Sequence, residues 1–145
     1  VGTVTGARAE YQAKENLTVG AAHMREDYAG RTATVTGADA TLKINHRLTA
    51  RAEAAQSENL AGTSDAYKAE LARNTESTDT RVYYESAGVG FGLGQLNAAQ
   101  TGRRQFGLDA SQRLTSTVSA QQSLFQEELL TTGDRRQAGE AQLEY

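Results

Sequence analysis

The 145-residue sequence has no cysteine, no proline and no tryptophan, and only three phenylalanines. Without cysteine, neither a disulfide framework nor a Cys-containing metal site can form. Proline lacks a backbone donor and is excluded from paired strands, so its absence suits a chain that is almost all ladder. A charge excess is missing as well. The formal net charge is -3 and the basic residues are scattered, so no nucleic-acid partner is expected. No apolar run approaches the roughly 18 residues of a membrane-spanning helix, and no signal peptide is expected within these residues. The chain opens at Val1 in strand-like sequence and is expected to be mature or excised from something longer. Its length makes residues 1–145 one domain, or a piece of one.

Hydrophobic residues make up 38% of the chain, too few to offset the entropy of ordering an ordinary globule of this size. Either the chain is polar and disordered, or its fold has a polar inside. Periodicity decides between them. The stretch LKINHRLTARAEAAQS at 42–57 returns as LDASQRLTSTVSAQQS at 108–123, with seven of sixteen positions identical. A fainter copy, YQAKENLTVGAAHMRE, occupies 11–26. Self-similarity of this kind marks a repeated supersecondary unit.

Residues alternate within the unit. Ala38, Ala40, Leu42 and Ile44 stand opposite Asp39, Thr41 and Lys43; after Asn45-His46-Arg47, Leu48, Ala50, Ala52 and Ala54 stand opposite Thr49, Arg51 and Glu53. Period 2 on both sides of a tight polar turn predicts a β-hairpin. Residues 50–56 would also suit a helix, but the matching copy from Leu114 is a poor helix and a fair strand, so the repeat decides for strand. The same template at 7–13, 67–71, 80–84, 106–110 and 139–145 predicts an all-β, antiparallel up-and-down meander of about nine strands. Short connections are expected near 14–16, 45–47, 74–78 and 111–113. Longer ones are expected near 25–32, 57–65, 87–104 and 126–135, all gathered at one end.

Each strand thus has two unlike faces. The charged face carries Arg8, Glu10, Lys43, Arg51, Glu53, Lys68, Glu70, Arg81, Glu85, Arg113 and Glu140. The apolar face carries Leu42, Ile44, Leu48, Leu71, Val82, Tyr84, Phe106, Leu108, Leu114, Val118, Leu143 and Tyr145. In a soluble meander the apolar face is the core; in a transmembrane barrel it meets lipid and the charged face lines the lumen. Strands near the roughly 9–11 residues of a tilted span, trim turns opposite long loops, and an Ala-rich face too thin to fill a sandwich favour the membrane. Six tyrosines and three phenylalanines make a sparse aromatic belt, which favours the soluble alternative.

The segments GADATLKINHRLTARAEAAQS, GVGFGLGQLNAAQTGRRQFGLDASQRLT and TTGDRRQAGEAQLEY carry a resemblance. Together they are similar to the barrel-forming regions of large, poorly characterised Gram-negative outer-membrane proteins, whose hairpins repeat the grammar G-A-x-x-x-L-x-x-x-x-R-L-T-x-x-A-E. The resemblance covers nearly the whole chain and brings no catalytic motif. It implies a transmembrane β-barrel of the bacterial outer membrane, or a segment of a larger one. Its implied partners are the lipid bilayer, the barrel-assembly machinery and further strands of a longer chain. The closing Ala141, Leu143, Tyr145 resembles the aromatic-ended last strand that this machinery reads, with Gly139 one place off the usual spacing.

No catalytic, metal or cofactor site is expected. Gly88-Val-Gly-Phe-Gly-Leu-Gly94 has the glycines of a phosphate loop, but polar sequence follows where a helix is required. It reads as a long loop, suited to fold into a lumen or touch a surface partner. His23 lies mid-strand and His46 at a turn in another hairpin, so they are not expected to converge. His23 beside Glu26 or Asp27 lacks a nucleophile and an oxyanion arrangement, and no enzyme is expected. Three functions remain: a membrane anchor or scaffold for surface loops or an attached extracellular region, a polar pore or export conduit, and a soluble or surface-fibre β-module. In a narrow barrel side chains nearly fill the interior, which favours closed salt-bridge ladders over conduction.

Overall fold

The computed structural model describes residues 2–60, 62–93 and 101–145. Nine strands run through them: β1 (Thr3–Lys14), β2 (Leu17–Tyr28), β3 (Arg31–Asn45), β4 (Leu48–Asn59), β5 (Gly62–Asn74), β6 (Thr78–Ala87), β7 (Arg103–Arg113), β8 (Ser119–Leu129) and β9 (Arg135–Glu144). They form one sheet in chain order, every neighbouring pair antiparallel. Residues 50–56 lie in β4, as strand. The sheet is open, with β1 at one edge and β9 at the other.

The sequence repeat is also a repeat of register. Thr3↔Asp27 in β1–β2 and Thr34↔Glu58 in β3–β4 are the same pair one unit on, as are Leu17↔Leu42 and Leu48↔Arg73. The register slips between Gln12 and Lys14, and again between Lys43 and Asn45. Ala13 and Ile44 are thus equivalent bulge residues, and a bulge bends and twists its strand. The turns are knit to the strand beyond: the Lys43 amide donates to the Asn16 carbonyl and the Asn74 amide to the Arg47 carbonyl, both at 2.8 Å.

The connections depart from expectation in two ways. In the copy at 108–123, β7 ends at Arg113 and β8 begins at Ser119, so Leu114 and Val118 lie between strands. The Thr115 hydroxyl accepts from the Val118 amide at 3.0 Å, and the Leu114 amide donates to the Val118 carbonyl at 2.9 Å. This local turn takes the backbone groups that a ladder would use. At the other end, long loops do not gather. β3 begins at Arg31 after β2 ends at Tyr28, β5 at Gly62 after β4 ends at Asn59, and β9 at Arg135 after β8 ends at Leu129, whereas β6 ends at Ala87 and β7 begins at Arg103. Ala29 and Gly30 both have positive φ, 51° and 77°, the two-residue turn whose twist matches its flanking strands. Pairing runs on to Tyr28↔Arg31 because ladder bonds need no apolar side chain.

The strands of the described residues form a single layer. The chain exposes 10075 Å², against about 7,200 Å² for a compact monomer of its mass. Among the described residues, Tyr83 is the buried large hydrophobic side chain.

Candidate functional site: a charged concave face

Cross-strand partners share a face, so the register carries each face from strand to strand. All eleven residues expected on the charged face lie on the same side of the sheet. Leu42, Leu48, Leu71, Val82, Tyr84, Phe106, Leu108 and Leu143 lie on the other. Ile44 is a bulge residue and Tyr145 follows β9, so register assigns neither to a face.

The charged side is concave. An open trough of about 560 Å³ is lined by Arg51 of β4, Glu70 of β5, Arg81 of β6, Asp109 of β7, Ser123 of β8 and Glu140 of β9. In a flat sheet the outer two of these strands would stand about 24 Å apart. They share one trough because the sheet curls toward the charges.

A chain of polar contacts crosses that trough. Arg51 Nη1 meets Glu70 Oε1 at 2.8 Å, Arg81 Nη1 meets Glu70 Oε2 at 3.7 Å, and Arg81 Nη2 meets Asp109 Oδ2 at 2.6 Å. Ser123 then donates to Asp109 at 2.8 Å. Further along the face, Lys68 pairs with Glu85 at 3.2 Å, and Glu127 takes Arg103 at 3.2 Å and Arg136 at 3.5 Å. An exposed pair alone contributes about 0–1 kcal/mol, but the Glu70 side chain is only 8% exposed and serves two arginines.

Two glycines make room for these contacts. Arg8 reaches Asp39 at 2.9 Å from two strands away. The Asp39 carboxylate lies over Gly20, where a Cβ would stand 2.6 Å from it. Tyr83 lies across Gly107, its cross-strand partner. Gln105 donates to its hydroxyl at 2.9 Å and the Arg81 guanidinium sits 4.7 Å from its ring centroid.

The start of the long connection docks on the same face. Ser57 is fully buried; its hydroxyl accepts from the Gly92 amide at 3.0 Å and donates to the Ser64 carbonyl at 3.3 Å. Asn59 donates to the carbonyls of Gly90 and Gly92 at 2.8 and 3.0 Å. Phe91 lines a second hollow with Ala55, Ala66 and Ala87. Gly94 and the polar residues after it, to 100, lie outside the described residues. Ser57→Ala is expected to speed hydrogen exchange at the Gly92 amide by about five- to tenfold, the loss of about 1 kcal/mol from one hydrogen bond. Unchanged exchange there would mean that the Ser57 hydroxyl does not protect that amide.

The convex face is layered. Leu17, Leu42, Ala50, Leu71, Val82, Leu108 and Leu124 form one continuous row across β2–β8. The adjacent row holds Tyr11, Tyr84 and Phe106. Toward the 29–30 end the face turns polar, with His23, Thr36, Gln56 and Asp65 aligned, then the Arg25–Asp27 pair at 2.9 Å. The apolar side chains are open to solvent, Tyr11 at 69% and Phe106 at 56%.

His23 Nδ1 lies 2.8 Å from Thr36 Oγ1, whereas His46 is in the 46–47 turn. From Thr36 to His46 is ten steps along the chain, about 33 Å in extended strand. Among the described residues no three His, Asp or Glu side chains gather as a metal site. Ser57, Gly20, Tyr83 and Gly107 escape a reading of the sequence, because each acts through a cross-strand partner that only the register reveals. No protein family matches the chain, and no curated protein matches it in sequence.

Proposed function

We propose that the chain forms wall of a transmembrane β-barrel in a bacterial outer membrane, serving as an anchor or scaffold for surface loops or an attached extracellular region. The observation that carries this reading is the direction of the curl: mixed charges inside, an exposed apolar band outside. A soluble single-layer sheet would curl to hide its leucines, whereas lipid solvates them and leaves the polar side to the lumen. The resemblance of the hairpin grammar to outer-membrane barrel regions points the same way, and makes the assembly machinery a partner in biogenesis.

Being odd-numbered strands of an antiparallel meander, β1 and β9 run in the same direction. Joining them would make a parallel seam. An all-antiparallel ring therefore takes an odd number of further strands, in line with the even counts of bacterial barrels, and the chain is then a segment of a larger barrel. A second reading, a polar conduit, draws on the open trough, since added strands widen a lumen.

The test is far-ultraviolet circular dichroism in plain buffer and after dilution into detergent micelles, with gel mobility before and after heating. The expected result is a strand spectrum and heat-dependent mobility only with detergent, after which single-channel conductance separates anchor from conduit. A well-folded monomer in buffer alone would make this a soluble module instead.

A further inference from the structure

We propose that the free edge of β1 receives an antiparallel strand of the β2/β4 class, in the register in which β3 receives β2; this rests on the wall-segment reading. The warrant is the repeat in the register. Strands β1, β3 and β5 are equivalent: β3 receives β2 with Leu42 opposite Leu17, and β5 receives β4 with Arg73 opposite Leu48, one unit on. Each also pairs on its other side, β1 with β2 as β3 with β4. Only β1 lacks the first of these neighbours. On its convex side Thr3, Thr5, Ala7, Ala9 and Tyr11 carry no charge, and the strand has no proline, charge and proline being two of the devices that protect an edge. Its bulge at Ala13 does not close the edge, because β3 carries the same bulge at Ile44 and pairs on both sides.

The same equivalence specifies the incoming strand. Arg8 occupies the place of Asp39, which faces Gly20, and of Glu70, which faces Arg51. The sign at β1 is reversed, so the strand that fits carries a small or acidic residue opposite Arg8. Its alternate residues are small and apolar on the convex side, with Ala9 in the place of Ala40 and therefore opposite the Val19 position.

A synthetic peptide of residues 17–28, LTVGAAHMREDY, is the probe, added to the folded chain in whichever medium folds it. Hydrogen exchange should slow at the outward amides of β1 and not at those of β9. Because the chain has no cysteine, register can be read by disulfides: peptide Val19→Cys should couple to Ala9→Cys and not to Ala7→Cys. Peptide Gly20→Glu should bind about two- to fivefold tighter than the parent and Gly20→Arg weaker by a similar factor, the range of one cross-strand charge pair. Equal coupling at both cysteines, no slowing at β1, or no charge preference would overturn the proposal. A chain that folds only in detergent and ignores the peptide leaves the bilayer reading standing. One that folds in buffer alone and takes up the peptide overturns that reading and keeps this one.

Discussion

Leu124→Lys is expected to lower folding stability in lipid vesicles by about 2–4 kcal/mol, the cost of a lysine on the lipid face of a barrel near mid-bilayer. Ser123→Lys, one residue away, is expected to change it by no more than about 0.5 kcal/mol. Leu124 stands in the apolar row of the convex face, beside Leu108 and over Gly139. Ser123 points into the concave trough, between Asp109 and Glu140, where an ammonium finds two carboxylates in place of one hydroxyl hydrogen bond. The measurement is denaturant unfolding of each variant in vesicles. In a water-exposed sheet both positions are surface, and two small, similar changes would rule out lipid on the convex side.

The second large effect belongs to Tyr83 and Gly107. Tyr83→Ala removes the ring that covers Gly107, the hydroxyl that accepts from Gln105, and the surface beneath the Arg81 guanidinium. A loss of about 2–3 kcal/mol is expected, below the range for an aromatic truncated in a full core, because only one layer surrounds it. Gly107→Ala drives a methyl into the same ring and is expected to cost about 1–3 kcal/mol. With the ring gone, the same glycine change should reverse sign and stabilise by roughly 0.5–1 kcal/mol, since glycine weakens a strand interior. A double-mutant cycle measures this directly; additive effects would show that the ring and the glycine are energetically independent.

Which residues share a face could be read from the sequence almost completely, because a pleat reverses side-chain direction at every residue and the alternation from Ala38 to Ala54 is hard to mistake. Where strands end could not. Residues 25–32 and 57–65 look like loops because charged and hydroxyl residues there fall on both faces, yet the ladder runs on to Tyr28↔Arg31 and to Asn59↔Gly62. Hydrophobic patterning reports what a face touches, and backbone pairing is indifferent to it. The opposite error arises at 114–118, which alternates like a strand but is taken by the hydrogen bonds of Thr115. The copy at 108–123 decides for strand at 50–56, and β4 is strand, but Leu114 and Val118 are not strand residues. The direction of curl was beyond reach, since bulges at Ala13 and Ile44 and glycines at 20 and 107 act through neighbours distant in the chain.

The polar end of the sheet has a consequence for height. On β2 the apolar band stops at Ala21, while pairing with β3 continues to Tyr28. Seven tilted residues rise about 15 Å. In the bilayer setting that rise is a palisade standing clear of the lipid headgroups, stiffened by Arg25–Asp27 and the Asp27–Thr32 hydrogen bond. In that same setting the ladder-locked backbone would stand as a rigid parapet, with Gly90 and Gly92 held against its inner wall by Ser57 and Asn59.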